Sequence, residues 1–153
     1  MAVDFLNKND QKITDIIRQC DRENENVTAD SMLYNIIHNG QQIQDGITNS
    51  QINTIYFTSR FGVNNAARLF VDTFNINYIF NDITSEFIIR QNYFGRPIRC
   101  IVLYSPSNNA NRGITRAAQY LNNIGHFQQF EHPIRQFKIE FYQDKFDFFN
   151  IDN

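Results

Sequence analysis

The residues best placed to do chemistry lie between an apolar run and an amphipathic segment in CIVLYSPSNNANRGITRAAQYL, residues 100–121. The apolar run predicts a buried strand over 99–104, the amphipathic segment predicts a helix over 113–124, and the polar loop 105–112 joins them. Backbone N–H groups of a tight loop, the positive end of the next helix and the guanidinium of Arg112 suit an oxyanion such as sulfate or phosphate. The predicted anion-binding loop consists of Ser105, Pro106, Ser107, Asn108, Asn109, Ala110, Asn111, Arg112 and Gly113.

This loop contains no activated nucleophile. Pro106 stands where such a loop usually holds one, and proline offers neither a reactive atom nor an N–H group. The hydroxyl of Ser107 has no base near it in sequence, and no acid between 105 and 112 could protonate a leaving group. We therefore expect no catalysis here. A structural role for Arg112, donating to loop carbonyls, is the alternative to anion binding.

Helices that alternate with short apolar strands must position the loop. Such alternation predicts a small α/β domain with a central parallel sheet and helices on both faces, in which ligands bind beyond the carboxyl ends of the strands. The predicted elements are helices over 3–20 and 28–40, a loop over 41–51, a strand over 52–58, a helical turn near 66–70, a strand over 76–80, a helix over 83–94 broken by Gly95 and Pro97, and a helix stop at Gly125, followed by an aromatic tail with helical spacing at Phe137, Phe141 and Tyr142.

The order of these segments resembles the rhodanese-like fold, and within it the catalytic domain of the M-phase-inducer phosphatases, which are cell-cycle dual-specificity phosphatases. The resemblance covers about residues 27 to 149 and is carried by VTADSMLYNIIHNG, TIYFTSRF and IVLYSPSNNANRGITRAAQYL. In that family a helix precedes a strand ending in Asp-x-Arg. A later strand ends in His-Cys, followed by five variable residues and Arg-Gly.

The match to the family motifs is partial. Arg60 falls on the arginine of Asp-x-Arg, but Thr58 replaces the aspartate. The pair at 112–113 falls on Arg-Gly, which places Ser105 on the motif histidine and Pro106 on the catalytic cysteine. The family's glycine-histidine motif after the first strand and its late glycines before the last helix have no clear counterpart. The chain therefore resembles the scaffold of the family without its nucleophile.

The resemblance implies a catalytically inactive domain, a pseudophosphatase, that acts as a protein-interaction or regulatory module. It would span residues 27–153 after an N-terminal helical extension over 1–26. The implied partner is a protein, for example a kinase or a phosphoprotein, and no cofactor is expected. A divergent protein phosphatase or sulfurtransferase, and a reader of phosphate or phosphopeptides, stay open as alternatives.

Composition narrows the classes of partner and of cellular location that are expected. With 153 residues, 42% of them hydrophobic, and 15 Phe and 7 Tyr, the chain can fill one core. A net charge of −2 does not favour nucleic acid as a partner, and no apolar run reaches the roughly 18 residues that a membrane span needs. Cys20 and Cys100 lie far apart, which predicts free thiols in the cytoplasm or nucleus, with Cys100 as an inert core residue.

Three further groups of side chains have both a functional and a structural interpretation. His126 and His132, which flank Glu131, could form a metal pair, but no third ligand has suitable spacing and His38 lies far upstream, so surface histidines are favoured. Four arginines could form a basic rim with Arg112 that binds a phosphorylated partner, or they could be scattered solvated residues. They are Arg90, Arg96, Arg99 and Arg135. The aromatic residues near the C-terminus could form a stripe that docks a partner, or they could pack against the sheet. They are Phe137, Phe141, Tyr142, Phe146, Phe148 and Phe149.

Overall fold

The computed structural model of the chain describes residues 14–23, 26 and 29–146. Two antiparallel strands come first, and helices and three further strands follow. The strands are β1 (Ile17–Arg22), β2 (Leu33–His38), β3 (Thr54–Phe57), β4 (Glu86–Ile89) and β5 (Ile98–Val102). The helices are α1 (Gly40–Thr48), α2 (Ala66–Thr73), α3 (Gln91–Phe94), α4 (Asn111–Ile114), α5 (Ala118–Leu121), α6 (Ile124–Phe127) and α7 (Pro133–Lys145), with 3-10 turns at Asp30–Met32 and Asn108–Ala110.

The central sheet has the strand order β3-β5-β4, which makes the domain α/β as predicted. Strand β3 runs parallel to β5, with Thr54 opposite Arg99 and Phe57 opposite Val102. Strand β4 runs antiparallel to β5, so the prediction of an all-parallel sheet is wrong. The chain between β4 and β5 holds one short helix and turns at Gly95, whose φ is 79°. That connection is too short for a crossover, which needs a dozen or more residues, and the two strands must therefore be antiparallel.

Helices cover both faces of this sheet. On one face Cys100 and Val102 of β5 join a core with buried residues of α1 and α2, such as Ile43 and Phe70. On the other face Ile101 belongs to a second core, whose other buried members are Leu103, Tyr104, Ile114, Tyr120, Phe127, Phe137 and Phe141. Strand β5 is thus buried on both sides, which explains its continuous apolar sequence.

The N-terminal region differs most from the prediction. The predicted helices over 3–20 and 28–40 are wrong where the structure describes them, because β1 and β2 form an antiparallel pair there. Residues 1–13, which include most of the first predicted helix, lie outside the described residues. Helix α1 occupies the predicted loop 41–51, since Ile43 and Ile47, four residues apart, are both buried.

The middle of the chain has one predicted element confirmed and two corrected. The strand predicted over 52–58 is confirmed as β3, and the helical turn near 66–70 is confirmed as the start of α2. The strand predicted over 76–80 is wrong. The side chains of these residues alternate between more buried and more exposed positions, but their backbone pairs with no strand. The predicted helix 83–94 contains β4 and α3 instead, and the buried Phe87 and Ile89 on either side of the exposed Ile88 show the two-residue period of a strand.

The C-terminal region contains the strand predicted over 99–104, confirmed as β5, and a helix that is broken. The helix predicted over 113–124 is replaced by three short helices, because Ala117 and Asn123 interrupt the helical backbone. Gly125 lies inside α6 and does not end a helix. Helix α7 confirms the helical spacing of Phe137 and Phe141, which are both buried. None of the described helices is long and apolar enough to cross a membrane.

An ion-pair network ties the end of α7 to the sheet. Arg99 of β5 donates to both carboxylate oxygens of Glu86 on β4, at 3.0 and 2.7 Å. Lys145, whose side chain is 8% exposed, reaches Glu86 Oε1 at 3.3 Å. The hydrogen bonds from Arg99 and the charges of Lys145 and Arg99 hold the pKa of Glu86 below its ordinary value, although burial opposes them.

This network predicts a loss of stability in acid. Because the pKa of Glu86 is lower in the folded state, its contribution is present above the ordinary carboxyl pKa and disappears as the pH falls through the folded-state value. Urea unfolding at about pH 7 and about pH 3.5 should therefore show a smaller loss of stability for Glu86→Gln than for the wild type. The control is Glu131→Gln, since that carboxyl is 90% exposed. Equal losses in the wild type and Glu86→Gln would contradict the assignment.

Candidate functional site

The predicted anion-binding loop lies where the sequence placed it, beyond the carboxyl ends of the parallel strands β3 and β5. Leu103 N–H donates to Phe57 O at 2.8 Å, which continues the pairing of the two strands just before the loop. Pro106 and the three residues after it are exposed, while Ser105 and Ala110 are half-buried. The loop is therefore accessible to a ligand.

The hydrogen bonds of the loop are largely internal. Ser107 N–H donates to Ser105 Oγ at 3.3 Å, and Ala110 N–H donates to Ser107 O at 3.3 Å. Asn111 N–H donates to Asn108 O within the same 3-10 turn. Pro106 has no N–H group. Several of the amides that an anion would need are thus already paired within the chain.

The backbone of the loop is not that of an anion nest. A nest alternates right- and left-handed residues so that successive N–H groups converge. Among the described residues other than glycine, positive φ occurs at Asn35, Asn64, Asn75 and Ser85, and none of these lies in the loop. Arg112 is exposed on α4, a helix of four residues, and no hydrogen bond joins its guanidinium to the described part of the chain. Anion binding by residues 105–113 stays a prediction, and these observations argue against it.

The cation that contacts the loop is Lys138 of α7, and not Arg112. Lys138 Nζ donates to Ser107 O at 2.8 Å and to Pro106 O at 3.4 Å. Burial lowers the pKa of Lys138 below its ordinary value. The loop therefore presents two carbonyl oxygens to a cation, which is the opposite polarity to an anion receptor.

Arg60, which the resemblance matched to Asp-x-Arg, lies at the base of the loop. Its guanidinium stacks over the ring of Tyr104 at 4.4 Å and over that of Phe80 at 5.0 Å. It donates to Ser85 Oγ and, at 3.5 Å, to Val102 O. We call this group, Arg60 with Phe80, Ser85 and Tyr104, the Arg60 cluster.

The Arg60 cluster is a desolvated structural unit with one exposed charge beside it. Ser85 is completely buried and has a φ of 58°, a left-handed conformation that non-glycine residues rarely adopt. Burial lowers the pKa of Arg60 and raises that of Tyr104. Asp82, at 3.5 Å from Arg60, has a side chain that is 76% exposed. The cluster thus joins β5, the turn before β4 and the start of the loop.

Neither cysteine can serve the loop. Cys100 is fully buried in β5, and burial raises the pKa of its thiol far above the ordinary value. A thiol in that state is a poor nucleophile. Cys20 lies in β1, in the N-terminal pair of strands, and is free. The prediction that Cys100 is a core residue is confirmed.

The predicted basic rim separates into unrelated parts. Arg96 donates to Ile47 O at 2.7 Å and to Ile52 O at 2.8 Å, and it therefore ties α1 to the chain before β3. Arg99 pairs with Glu86, and Arg90 is exposed beside α3. Arg135 lies near the loop, since it lines a cleft of about 440 Å³ together with Asn108 and Asn111. One of the four arginines thus has a position suited to the rim.

The histidines and aromatic residues have structural contacts. His126 Nε2 lies 2.9 Å from Glu140 Oε1, and His132 Nε2 lies 4.0 Å from Glu131. No group of three or more His, Cys, Asp or Glu residues in the described ranges could hold a metal ion. Phe137 and Phe141 pack edge-on against Tyr104. Tyr142 donates to Tyr104 O at 2.5 Å and Phe146 stacks on Tyr56, whereas Phe148 and Phe149 lie outside the described residues.

Comparison with known proteins gives no family for this chain. It matches no protein-family model, and no curated protein or solved structure is significantly similar to it.

Sequence reasoning missed Lys138, Ser85 and Tyr104. The helical spacing of Phe137 and Phe141 fixes which side of α7 faces the core, but it does not reveal that Lys138 reaches the loop. Ser85 lies inside the predicted helix over 83–94, and its buried contact with Arg60 depends on the antiparallel turn before β4. The contact of Tyr104 with Arg60 was predictable, because Tyr104 follows β5 and Arg60 follows the neighbouring strand β3.

The Arg60 cluster predicts that the shape of the guanidinium matters as well as its charge. Arg60→Lys keeps the charge but loses the planar fork that stacks between two rings and reaches Ser85 and Val102, and we expect it to lower the free energy of unfolding by about 2 kcal/mol. Arg68→Lys is the matched control, because Arg68 is exposed and lies 5.8 Å from the Phe61 ring, and it should change stability by less than about 0.5 kcal/mol. Equal effects of the two substitutions in urea unfolding would contradict the role of the cluster.

Proposed function

We propose that this chain is a catalytically inactive α/β module, similar to a rhodanese-like pseudophosphatase, that binds a protein partner. The observation that carries the proposal is the exposed Pro106 at the position that the resemblance assigns to the catalytic cysteine. The chain would then act by presenting a surface and not by turnover. Its proposed location is the cytoplasm or the nucleus, and its proposed partner is a kinase or a phosphoprotein.

The surroundings of Pro106 support the absence of covalent catalysis. A phosphatase or sulfurtransferase of this type needs a thiolate inside a ring of free amides. The thiol nearest in sequence, Cys100, is fully buried. The hydroxyl of Ser107 contacts the hydroxyl of Ser105 at 3.1 Å. That hydroxyl has no hydrogen bond to a histidine or a carboxylate of the described residues, and a serine hydroxyl that no base deprotonates is a weak nucleophile at neutral pH.

The alternative of a divergent enzyme makes a different prediction. A phosphatase or sulfurtransferase that uses an unrecognised group would still need a cation at the loop, and Arg112 is the residue that the resemblance assigns to that role. Lys138 is a cation beside the loop, but its ammonium already donates to the carbonyl oxygens of Ser107 and Pro106, and these oxygens do not favour the alternative. An electronegative carbonyl next to a phosphoryl or sulfuryl oxygen is repulsive.

Turnover assays test the proposal. The purified chain, assayed with an aryl phosphate and separately with thiosulfate plus cyanide, should give rates equal to the buffer blank. Arg112→Ala and the matched surface variant Arg90→Ala should be indistinguishable from the wild type. Turnover that Arg112→Ala abolishes and Arg90→Ala leaves unchanged would contradict the proposal and favour the divergent enzyme.

A further inference from the structure

One row of side chains on the central sheet is only partly covered by the described part of the chain. Arg99 of β5 pairs with Thr54 of β3 on one side and with Ile88 of β4 on the other. Paired residues of neighbouring strands point to the same face of a sheet, so these three form a row across it. Ile88 is 54% exposed, and the side chain of Arg99 is 53% exposed. We call Thr54, Arg99 and Ile88 the open row.

Helix α7 covers the same face and points toward the open row. Phe141 packs edge-on against Tyr104, which follows the last residue of β5. Near the end of the helix, Lys145 Nζ reaches Glu86 Oε1 at 3.3 Å, and Glu86 pairs with Ile101. The contacts of the helix thus move from position 104 back to the level of position 101. Since position 99 comes next on this face, α7 ends one row before the open row.

The last described residue lies beside the open row. Phe146 stacks on Tyr56 of β3, with the ring centroids 4.8 Å apart. Thr54 is two residues from Tyr56 on the same strand and face, a distance of about 7 Å. Ile88 lies two strands further across, which adds about 10 Å sideways and gives about 12 Å in all. Three extended residues span about 10 Å, and the length of a phenylalanine side chain covers the rest.

The residues that follow Phe146 have the side chains to cover this row. Residues 147–153, which lie outside the described residues, have the sequence DFFNIDN and include Phe148, Phe149 and Ile151. A phenylalanine ring against Ile88 removes apolar surface of both residues from water. The alkyl stem and the planar guanidinium of Arg99 offer a second apolar contact for a ring.

The tether favours this segment over any other occupant. A segment joined to its site by a few residues has an effective concentration in the millimolar range, which a second copy of the chain or another protein rarely reaches in solution. No charge on the segment is needed, because Arg99 is already paired with Glu86.

We propose that the segment 147–151 packs across the open row, with the ring of Phe148 or Phe149 against Ile88. The proposal goes beyond the proposed function and does not rest on it. It assigns these two phenylalanines to packing against the sheet and not to docking a partner. A protein partner of this chain would then bind a surface other than this end of the sheet.

Disulfide trapping tests the proposal. In a Cys20→Ser background, Ile88→Cys is combined with Phe148→Cys in one variant and with Phe149→Cys in another, and each variant is oxidised with glutathione disulfide. Cys100 is fully buried and stays out of the reaction. We expect an intramolecular disulfide in at least one variant, because the packing brings the two Cα atoms within the limit of about 7 Å that a disulfide allows.

The matched control is Ile139→Cys combined with the same substitutions at 148 or 149. Ile139 is 41% exposed on α7 and is much nearer in sequence to the segment than Ile88 is. A segment without a fixed position would therefore link to position 139 at least as fast as to position 88. We expect the link to position 88 to form at least about tenfold faster. Equal rates, a faster link to position 139, or a disulfide-linked dimer as the main product would overturn the proposal.

Urea unfolding gives a second readout that needs no cysteine. Ile88→Ser should lower the unfolding midpoint of the wild type, and it should lower it less in a Phe148→Ser, Phe149→Ser background, where the contact is already lost. Ile139→Ser should have the same effect in both backgrounds. Equal effects of Ile88→Ser in the two backgrounds would contradict the packing. The turnover assays described above do not depend on this contact, so the two proposals can fail separately.

Discussion

The half-buried guanidinium of Arg60 joins the turn before β4, the strand β5 and the start of the loop. It stacks on Tyr104, the last residue before the loop, and it donates to Ser85 in the turn before β4. It also reaches a backbone oxygen of β5, the strand that is buried on both faces of the sheet. A cation in a partly desolvated site needs such partners, because an unpaired charge there is costly. The contacts of Arg60 with the turn before β4 and with the residue before the loop meet that requirement.

The loop after β5 lies in the position that suits a ligand, but its hydrogen bonds do not suit an oxyanion. Arg60 stacks on Tyr104 at the base of the loop, whereas Arg112 is exposed. Lys138 binds carbonyl oxygens of the loop, and three amides of the loop donate within it. The loop thus lies beyond the carboxyl ends of the parallel strands, but it presents carbonyl oxygens where an oxyanion would require free amides.

The parts of the fold that were predictable from sequence are those with an unambiguous period. The continuous apolar run of β5 and the β-branched and aromatic residues of β3 were sufficient to predict both strands. Strand β5 is the central strand of the sheet, and β3 pairs with it in parallel. The isoleucines of β2 were misleading, since apolar residues at both adjacent and helical intervals suit either a helix or a short strand. Residues 33–38 form a strand because they pair with β1, and that pairing joins residues that are distant in sequence.

Two parts of the candidate site could not be derived from sequence. The contact of Lys138 with the loop depends on how α7 lies across the sheet, which the packing of Phe137 and Phe141 on Tyr104 determines. The position of Phe80 in the Arg60 cluster depends on residues 76–80 having no partner strand. A strand was predicted there, and in a paired strand Ile79 would have had a neighbour to pack against.

The central claim is that the loop does not activate a nucleophile, and the acidity of a thiol placed in it tests that claim most directly. Pro106→Cys, made in a Cys20→Ser background, leaves the buried Cys100 as the other thiol. The pH dependence of alkylation by iodoacetamide then gives the pKa of the new thiol. We predict a value within about one unit of the ordinary cysteine value, which is roughly 8.5, and no protection by sulfate or phosphate. A pKa below about 7, together with protection by these anions, would show that the loop still stabilises negative charge and would contradict the account.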